Sequence, residues 1–299
     1  MFGLGKKKKK KSSDAPAKKA GKAHPKKKRA HVLPLEGAEL PAFHPVAMKA
    51  MREIRGGEKS PSEIADTISA DPGLSVRVLR TVNSAAFALR KEVTSVGHAV
   101  ALLGLGRLES VLISVAVKDA LPQRCFRGFE PGRFWRTAVK RAALAQELAG
   151  LLHPATRMEC FTWGLLVDLA VPLLAQHHTA TYGRVLERWH GGEGELHALE
   201  QESFGWTHAE VGGQVCRAWE LPAPLTGAVE DHHLDTGEET RCPPAVQLAA
   251  ILCESPEHSG IERLVQVAAA RYGIPEPVSQ QILSTAEEKA SQLASLFAS

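Results

Sequence analysis

Six consecutive lysines, Lys6, Lys7, Lys8, Lys9, Lys10 and Lys11, are the densest run of one chemistry in this 299-residue sequence, and that chemistry is attraction of anions. Lys26, Lys27, Lys28 and Arg29 extend it. Nucleic acid would be held through counterion release and without sequence preference, because no aromatic residue between Lys6 and His31 could stack on a base. Anionic lipid competes for the same charge. Phe2 and Leu4 lie just ahead of the lysines and could enter a membrane interface, with each nearby Lys adding about 1 kcal/mol. Nucleic acid is favoured because Lys18–Arg29 continues the charge with no further apolar anchor. A solvated run that only aids solubility is the plainest reading.

Other chemistry-bearing residues are sparse. The cysteines, Cys125, Cys160, Cys216, Cys242 and Cys253, are odd in number and never spaced C-x-x-C, which argues against a disulfide framework or a thiolate zinc site. Gly104-Leu105-Gly106 lacks the spacing and preceding strand of a phosphate loop and reads as a helix connection. His177-His178 could chelate, but such a pair more often ends a helix. Asn83 and Ser84, late in a helix, are expected to bond locally to backbone or to an adjacent loop.

Composition sets the frame that must position these groups. With 44% hydrophobic and 23% charged residues, the chain can bury one or two sizeable cores. The longest stretch free of charged residues, Leu169–Gly183, is too short and too polar for a spanning helix of about 20 apolar residues. No apolar run follows the first lysines, so they are not read as part of a secretory signal, and a reducing cytoplasm is the expected location, with nucleoid or membrane association through the tail. Residues 1–31 hold 13 Lys and Arg against Asp14, while the remainder holds 24 against 32 acids. An acidic body thus carries a basic tail. Self-repulsion, with Pro16 and Pro25, predicts that the tail is disordered.

From Val32 onward helical signals follow one another, and the body reads as all-α. Ser60-Pro61-Ser62-Glu63 and Asp71-Pro72 are helix starts; behind the second, Leu74, Val78, Leu79, Val82 and Ala86 recur at helical spacing, with Arg77 and Arg80 outside the core. Thr94-Ser95 opens a segment interrupted at Gly104 and resumed from Leu108 to Val117. Arg133–Leu152 and Phe161–Gln176 read as long helices, the second central, with Pro172 bending or dividing it. Shorter helices are expected over Glu195–Ser203, His208–Trp219, Pro224–His233 and Ala245–Cys253, then Ile261–Tyr272 and Pro275–Phe297.

Two stretches carry a family resemblance. Asp71-Pro72-Gly73-Leu74 through Asn83-Ser84-Ala85-Ala86-Phe87, followed by Thr94-Ser95-Val96-Gly97-His98-Ala99-Val100 through Gly104, resembles the HDOD domain of bacterial signalling proteins. Gly164-Leu165-Leu166-Val167-Asp168, His208-Ala209-Glu210-Val211-Gly212, Trp219-Glu220-Leu221-Pro222 and His232-His233 resemble its C-terminal half. The resemblance covers roughly residues 35–240. It implies an all-helical fold related to the HD phosphohydrolases and HD-GYP phosphodiesterases, in two helical subdomains, with a role in signal transduction and usually without the hydrolase chemistry. The domains are then the tail 1–31, an HDOD domain 32–240, and a C-terminal helical extension 241–299 packed on it.

Metal-assisted phosphate hydrolysis needs an ion on several His and Asp ligands with positions left open. Where the HD enzymes carry an adjacent His-Asp pair, this sequence reads Val167-Asp168, and where they place an earlier histidine it reads Trp135-Arg136-Thr137. Those departures imply that a two-metal centre cannot assemble. What remains by resemblance is Asp168, His208, His232 and His233, a vestigial pocket. Adjacent histidines on a helix point about 100° apart, so both reaching one ion is awkward unless the helix end loosens. The pocket is then a hydrogen-bonded tie from Asp168 to His232 or His233, a single residual metal site, or an anion or nucleotide pocket near Arg136. The expected protein is a non-catalytic regulatory module, without cofactor, that binds an unidentified signalling protein. Arg77, Arg80 and Arg136 are candidate contacts, and the cleft between the Asp71–Val117 part and the half containing Asp168 and His232 is the expected binding place. A degenerate phosphohydrolase or a cyclic-dinucleotide or nucleotide sensor is the alternative.

Overall fold

Prolines open five of the helices: α1 (Pro45–Gly56), α2 (Pro61–Ser69), α3 (Pro72–Val82) and, further on, α6 (Pro131–Leu152) and α13 (Pro244–Glu254) begin at a position where the missing N–H removes no intrahelical bond. The computed structural model describes residues 1–3, 35, 40–87, 89–234, 240–254 and 257–297. Residues Met1–Val32 and Leu33–Ser299 are separate units. In the first, Met1 and Phe2 are fully exposed; Leu4, Lys6–Lys11 and Lys26–Arg29, and with them the expectation of disorder, fall outside the described residues.

Capping follows the signals in the sequence. Ser60 and Glu63 form a reciprocal capping box on α2, and Asp71 Oδ1 accepts the Leu74 N–H at 2.7 Å on α3. Ser95 caps α4 (Val96–Leu103), and Gly104, at φ 75°, turns the chain directly into α5 (Leu105–Ala120). The glycine pair there is a helix connection. Leu74, Val78 and Val82 are fully buried, whereas Arg80 is exposed and Arg77 reaches Asp119 at 2.8 Å across a half-exposed pair. Asn83 exchanges two 2.8 Å hydrogen bonds with the backbone of Val93, and the Ser84 hydroxyl donates to the Thr81 carbonyl. These side chains hold the turn after α3. Helices α1 to α5 pack on one another, so the Asp71–Phe87 and Ser95–Val117 segments belong to one helical group.

The second group surrounds α6. It comprises α7 (Arg157–Leu166), α8 (Ala170–His177), α9 (Thr179–His190), α10 (Leu196–Phe204), α11 (His208–Ala218), α12 (Ala223–Asp231), α13 (Pro244–Glu254), α14 (Glu257–Tyr272) and α15 (Glu276–Phe297). Helix α6 packs against α7, α13 and α15, and α5 meets α7 to join the two groups. Lys140 pairs with Glu287 at 2.7 Å where α15 lies on α6, and Ala286, Ala290 and Leu293 are buried. Among the described residues there is no strand, only an isolated bridge between Phe126 and Phe129.

The Phe161–Gln176 segment is two helices. Pro172 has no N–H to give the carbonyl of Asp168, which accepts instead from Val171 at 2.9 Å, so the chain turns at Val167–Leu169 before α8 begins. The stretch Pro154–His177 is long and apolar enough by composition to cross a membrane, but 78% of its most apolar window is buried inside the fold. Its apolarity serves the core.

Candidate functional site

The turn forced by Pro172 places Asp168 between α7 and α8, facing α6. There the guanidinium of Arg141, only 1% exposed, forms an ion pair through Nη1 with Asp168 Oδ2. Arg141 Nε also donates to the Gly164 carbonyl at 2.6 Å. That reach depends on glycine, since a Cβ at Gly164 would stand 2.9 Å from the Ala145 methyl and 3.1 Å from the Ala142 backbone. The two helices touch there backbone to backbone.

Two histidines converge on the other carboxylate oxygen, and a third closes on them. Thr207 and Glu210 form a capping box that starts α11 at His208, and His208 Nε2 lies 3.3 Å from Asp168 Oδ1. Helix α12 ends at Asp231, so His232 and His233 occupy the following turn. Their ring centroids are 3.8 Å apart. His232 Nε2 is 3.3 Å from Asp168 Oδ1 and 3.3 Å from His208 Nε2, and His233 Nε2 is 2.9 Å from His208 Nε2. The end of the helix lets both adjacent rings face one centre, and the four ligand-type atoms lie within 4.8 Å of one another.

The outward ring nitrogens fix the tautomers. His232 Nδ1 faces the Val229 carbonyl at 2.7 Å and must carry hydrogen, which makes its Nε2 an acceptor when the ring is neutral. His208 Nδ1 donates to Glu200 Oε2 at 2.8 Å, and the same oxygen accepts the His208 backbone N–H at 2.7 Å. Glu200 is fully buried on α10 and also accepts the Tyr182 hydroxyl at 2.5 Å. A carboxylate oxygen and two imidazole lone pairs therefore face each other, and something positive must sit among them. A proton on His208 meets that need. Burial opposes the charge, but Glu200 and Asp168 outweigh it and push the His208 pKa up to about 10. Burial would likewise raise Asp168, yet Arg141, His208 and His232 hold it well below the usual carboxylate range. His233 is driven the other way, by burial and then by the neighbouring histidines. With Arg141 and His208 positive and Asp168 and Glu200 negative, the buried cluster is electrically balanced.

This floor opens into a cavity of about 660 Å³, counting the open water at its mouth. Its lining includes Phe129, Phe134, Val171, Leu186 and Leu196 together with Arg133, Trp189 and His190. No residue from Asp71 to Val117 lines it, so the described cavity lies within the second helical group and not in the cleft between the groups.

The arginine in the site is Arg141 and not Arg136. Five residues along a helix turn the side chain about 140°, and Arg136 faces solvent at 3.7 Å from Glu130. Arg133, Thr137 and Arg141, four residues apart, form the stripe that faces the cavity. Arg141, Glu200 and Tyr182 were not singled out in the sequence. The signal for the two charged residues is a charge at an apolar helical position: Arg141 is in register with buried Ala138 and Ala145, and Glu200 with Leu196. Arg77 and Arg80 lie on α3, which contributes nothing to the cavity lining.

The profile of the HDOD domain matches residues 40–234. A 200-residue stretch, 65% of this chain, is 26% identical to an uncharacterized protein of Treponema pallidum. The match spans only 38% of that relative's length. Among solved structures, an HDOD domain protein of unknown function from Geobacter sulfurreducens aligns with a TM-score of 0.68 at 19% identity, over 88% of this chain and 95% of that one. A candidate phosphohydrolase from Shewanella amazonensis aligns with a TM-score of 0.64 at 24% identity, over 85% and 95%. At these identities the likeness is one of fold.

Proposed function

The chain belongs to the HDOD family, and from that premise we propose that it is a signalling module that works by binding, without hydrolytic turnover. The Arg141–Asp168 ion pair carries this reading. Arg141 already neutralises Asp168 through one carboxylate oxygen, which weakens its hold on a pair of metal ions, and leaves only the other oxygen facing the histidines. Val167, fully buried, offers no ligand beside it.

For a single ion the residues do fit. Asp168, His208, His232 and His233 would hold it, and the bonds from His208 to Glu200 and from His232 to the Val229 carbonyl orient the rings as outer partners of ligating histidines do. Such an ion would supply Lewis-acid polarisation of a bound oxygen. To admit it, His208 must give up the proton that already balances the cluster. Purified protein is therefore expected to contain less than stoichiometric transition metal and to leave cyclic dinucleotides uncleaved. One tightly bound iron, manganese or zinc per chain, or turnover, would overturn the reading.

The tail supports a tethering role beside the binding module, with nucleic acid the favoured anchor, anionic lipid the competitor and an unidentified signalling protein the partner of the body. Thirteen cations against one acid in residues 1–31 are the basis. Deleting residues 1–31 should leave the melting of the body unchanged and abolish salt-sensitive binding to DNA and to anionic vesicles. A Phe2→Ala, Leu4→Ala double variant that loses only the vesicles would select lipid. If the deletion changes neither, the tether is refuted.

A further inference from the structure

Arg133 stands apart from the other arginines near the cavity. Arg127 is held by Glu187 at 2.7 Å, Arg136 by Glu130 at 3.7 Å, and Arg141 by Asp168. For exposed Arg133, on the wall of the cavity, the described residues provide no carboxylate at ion-pair distance. Its charge reaches His190, whose imidazole is held below its ordinary value first by burial and then by Arg133. A cation and a neutral imidazole thus share the wall beside Trp189, whose ring lies 4.8 Å from that of His190. Glu130, the acid on the same wall, already has Arg136 as its partner.

The same lining carries aromatic and aliphatic side chains. Phe129 and Phe134 sit with ring centroids 5.8 Å apart, and Val171, Leu186 and Leu196 complete the apolar surface. The floor, where Asp168 and His208 are already mutually neutralised, offers no uncompensated charge. Anionic recognition therefore falls to Arg133 and apolar recognition to the aromatic and aliphatic side chains of the same lining.

We infer that the cavity binds a small molecule consisting of a planar aromatic ring and an acidic group, the acid on Arg133 beside His190 and the ring against Phe129 and Phe134. Aromatic walls favour a flat π-system through stacked or edge contacts, and Arg favours carboxylate or phosphate by charge-assisted hydrogen bonds. The inference rests on the reading that this cavity binds and does not cleave.

The test is titration of the full chain with benzoate, phenyl phosphate, adenosine monophosphate and the neutral benzyl alcohol, followed by calorimetry and by tryptophan fluorescence, with a Trp189→Phe variant to assign the Trp189 signal. At least one anion should saturate, and benzyl alcohol should bind at least tenfold more weakly. Arg133→Ala should lose tenfold or more of the anion affinity, Arg133→Lys should keep part of it, and Arg136→Ala should match the parent. Preference for adenosine monophosphate would identify a nucleotide as the source, and preference for the simpler acids an aromatic carboxylate or phosphate. Equal affinity for benzyl alcohol, no effect of Arg133→Ala in a variant with unchanged melting, or no saturation by any probe at roughly millimolar concentration would overturn the inference. Analysis of products separates the two claims: cleavage of a probe held by Arg133 would remove the binding-only reading and leave the ligand assignment standing.

Discussion

Arg141→Met is expected to destabilise the protein by about 3–5 kcal/mol, read as a lower melting temperature and an earlier urea midpoint. The variant keeps most of the apolar stem of the side chain but removes the buried guanidinium. Asp168 then loses its main cationic partner, and the Gly164 carbonyl loses the donor 2.6 Å away. Most of the expected cost is the penalty of an uncompensated buried charge, which greatly exceeds the net worth of the pair. Asp168→Asn should also destabilise, and the Arg141→Met, Asp168→Asn double variant should cost less than the sum of the singles, because the second change relieves the charge left by the first. Additive costs, or single variants that melt with the parent, would show that the ion pair does not hold α6 to the α7–α8 turn.

Stability is expected to fall from near neutrality toward pH 10, with a slope of about 1.4 kcal/mol per pH unit from His208. The folded pKa of His208, about 10, lies above its unfolded value, so between the two the native state binds one proton more than the unfolded chain. That contribution is fully present below the unfolded value and is lost as pH rises through the folded one. His233 acts in the opposite sense: its folded pKa is depressed, so acidification below the unfolded value costs stability by protonating the unfolded chain first. Asp168, also depressed, contributes above its unfolded value and loses that contribution as pH falls toward its folded one. Together these groups put greatest stability near the unfolded histidine value. Urea titrations from pH 7 to 9 should show the alkaline slope in the parent and not in His208→Gln. A slope that persists in the variant would assign it to another group, and a flat parent profile would show that His208 is not the cation of the cluster.

Helix starts, the turn at Gly104, the break near Pro172 and the core face of α3 are all readable from the chain itself. Each depends on residues within a few positions: a capping oxygen, a proline without its N–H, a glycine at positive φ, an apolar stripe of period 3.6. Family motifs in turn pick out Asp168, His208, His232 and His233, and the fold brings all four together. The basic tail is likewise a property of composition, since clustered like charges repel whatever the body does.

Tertiary structure alone decided which arginine fills the site. Arg136 and Arg141 lie on one helix five residues apart, and only the packing of α6 on α7 through Gly164 turns Arg141 inward and leaves Arg136 to Glu130. It also decided the charge of the cluster. Glu200 is eight residues before His208 and on another helix, and no local pattern announces that its buried carboxylate will hold a proton on that ring. The location of the cavity follows the same logic. Its walls come from the segment before α6, from α6, α8, α9, α10, α11 and α13, and from the turns that carry Asp168 and the two adjacent histidines, segments separated by more than a hundred residues. Local signals act over one or two helical turns, whereas ion pairing and desolvation act through space, so the elements were set by sequence and the chemistry of the site by their packing.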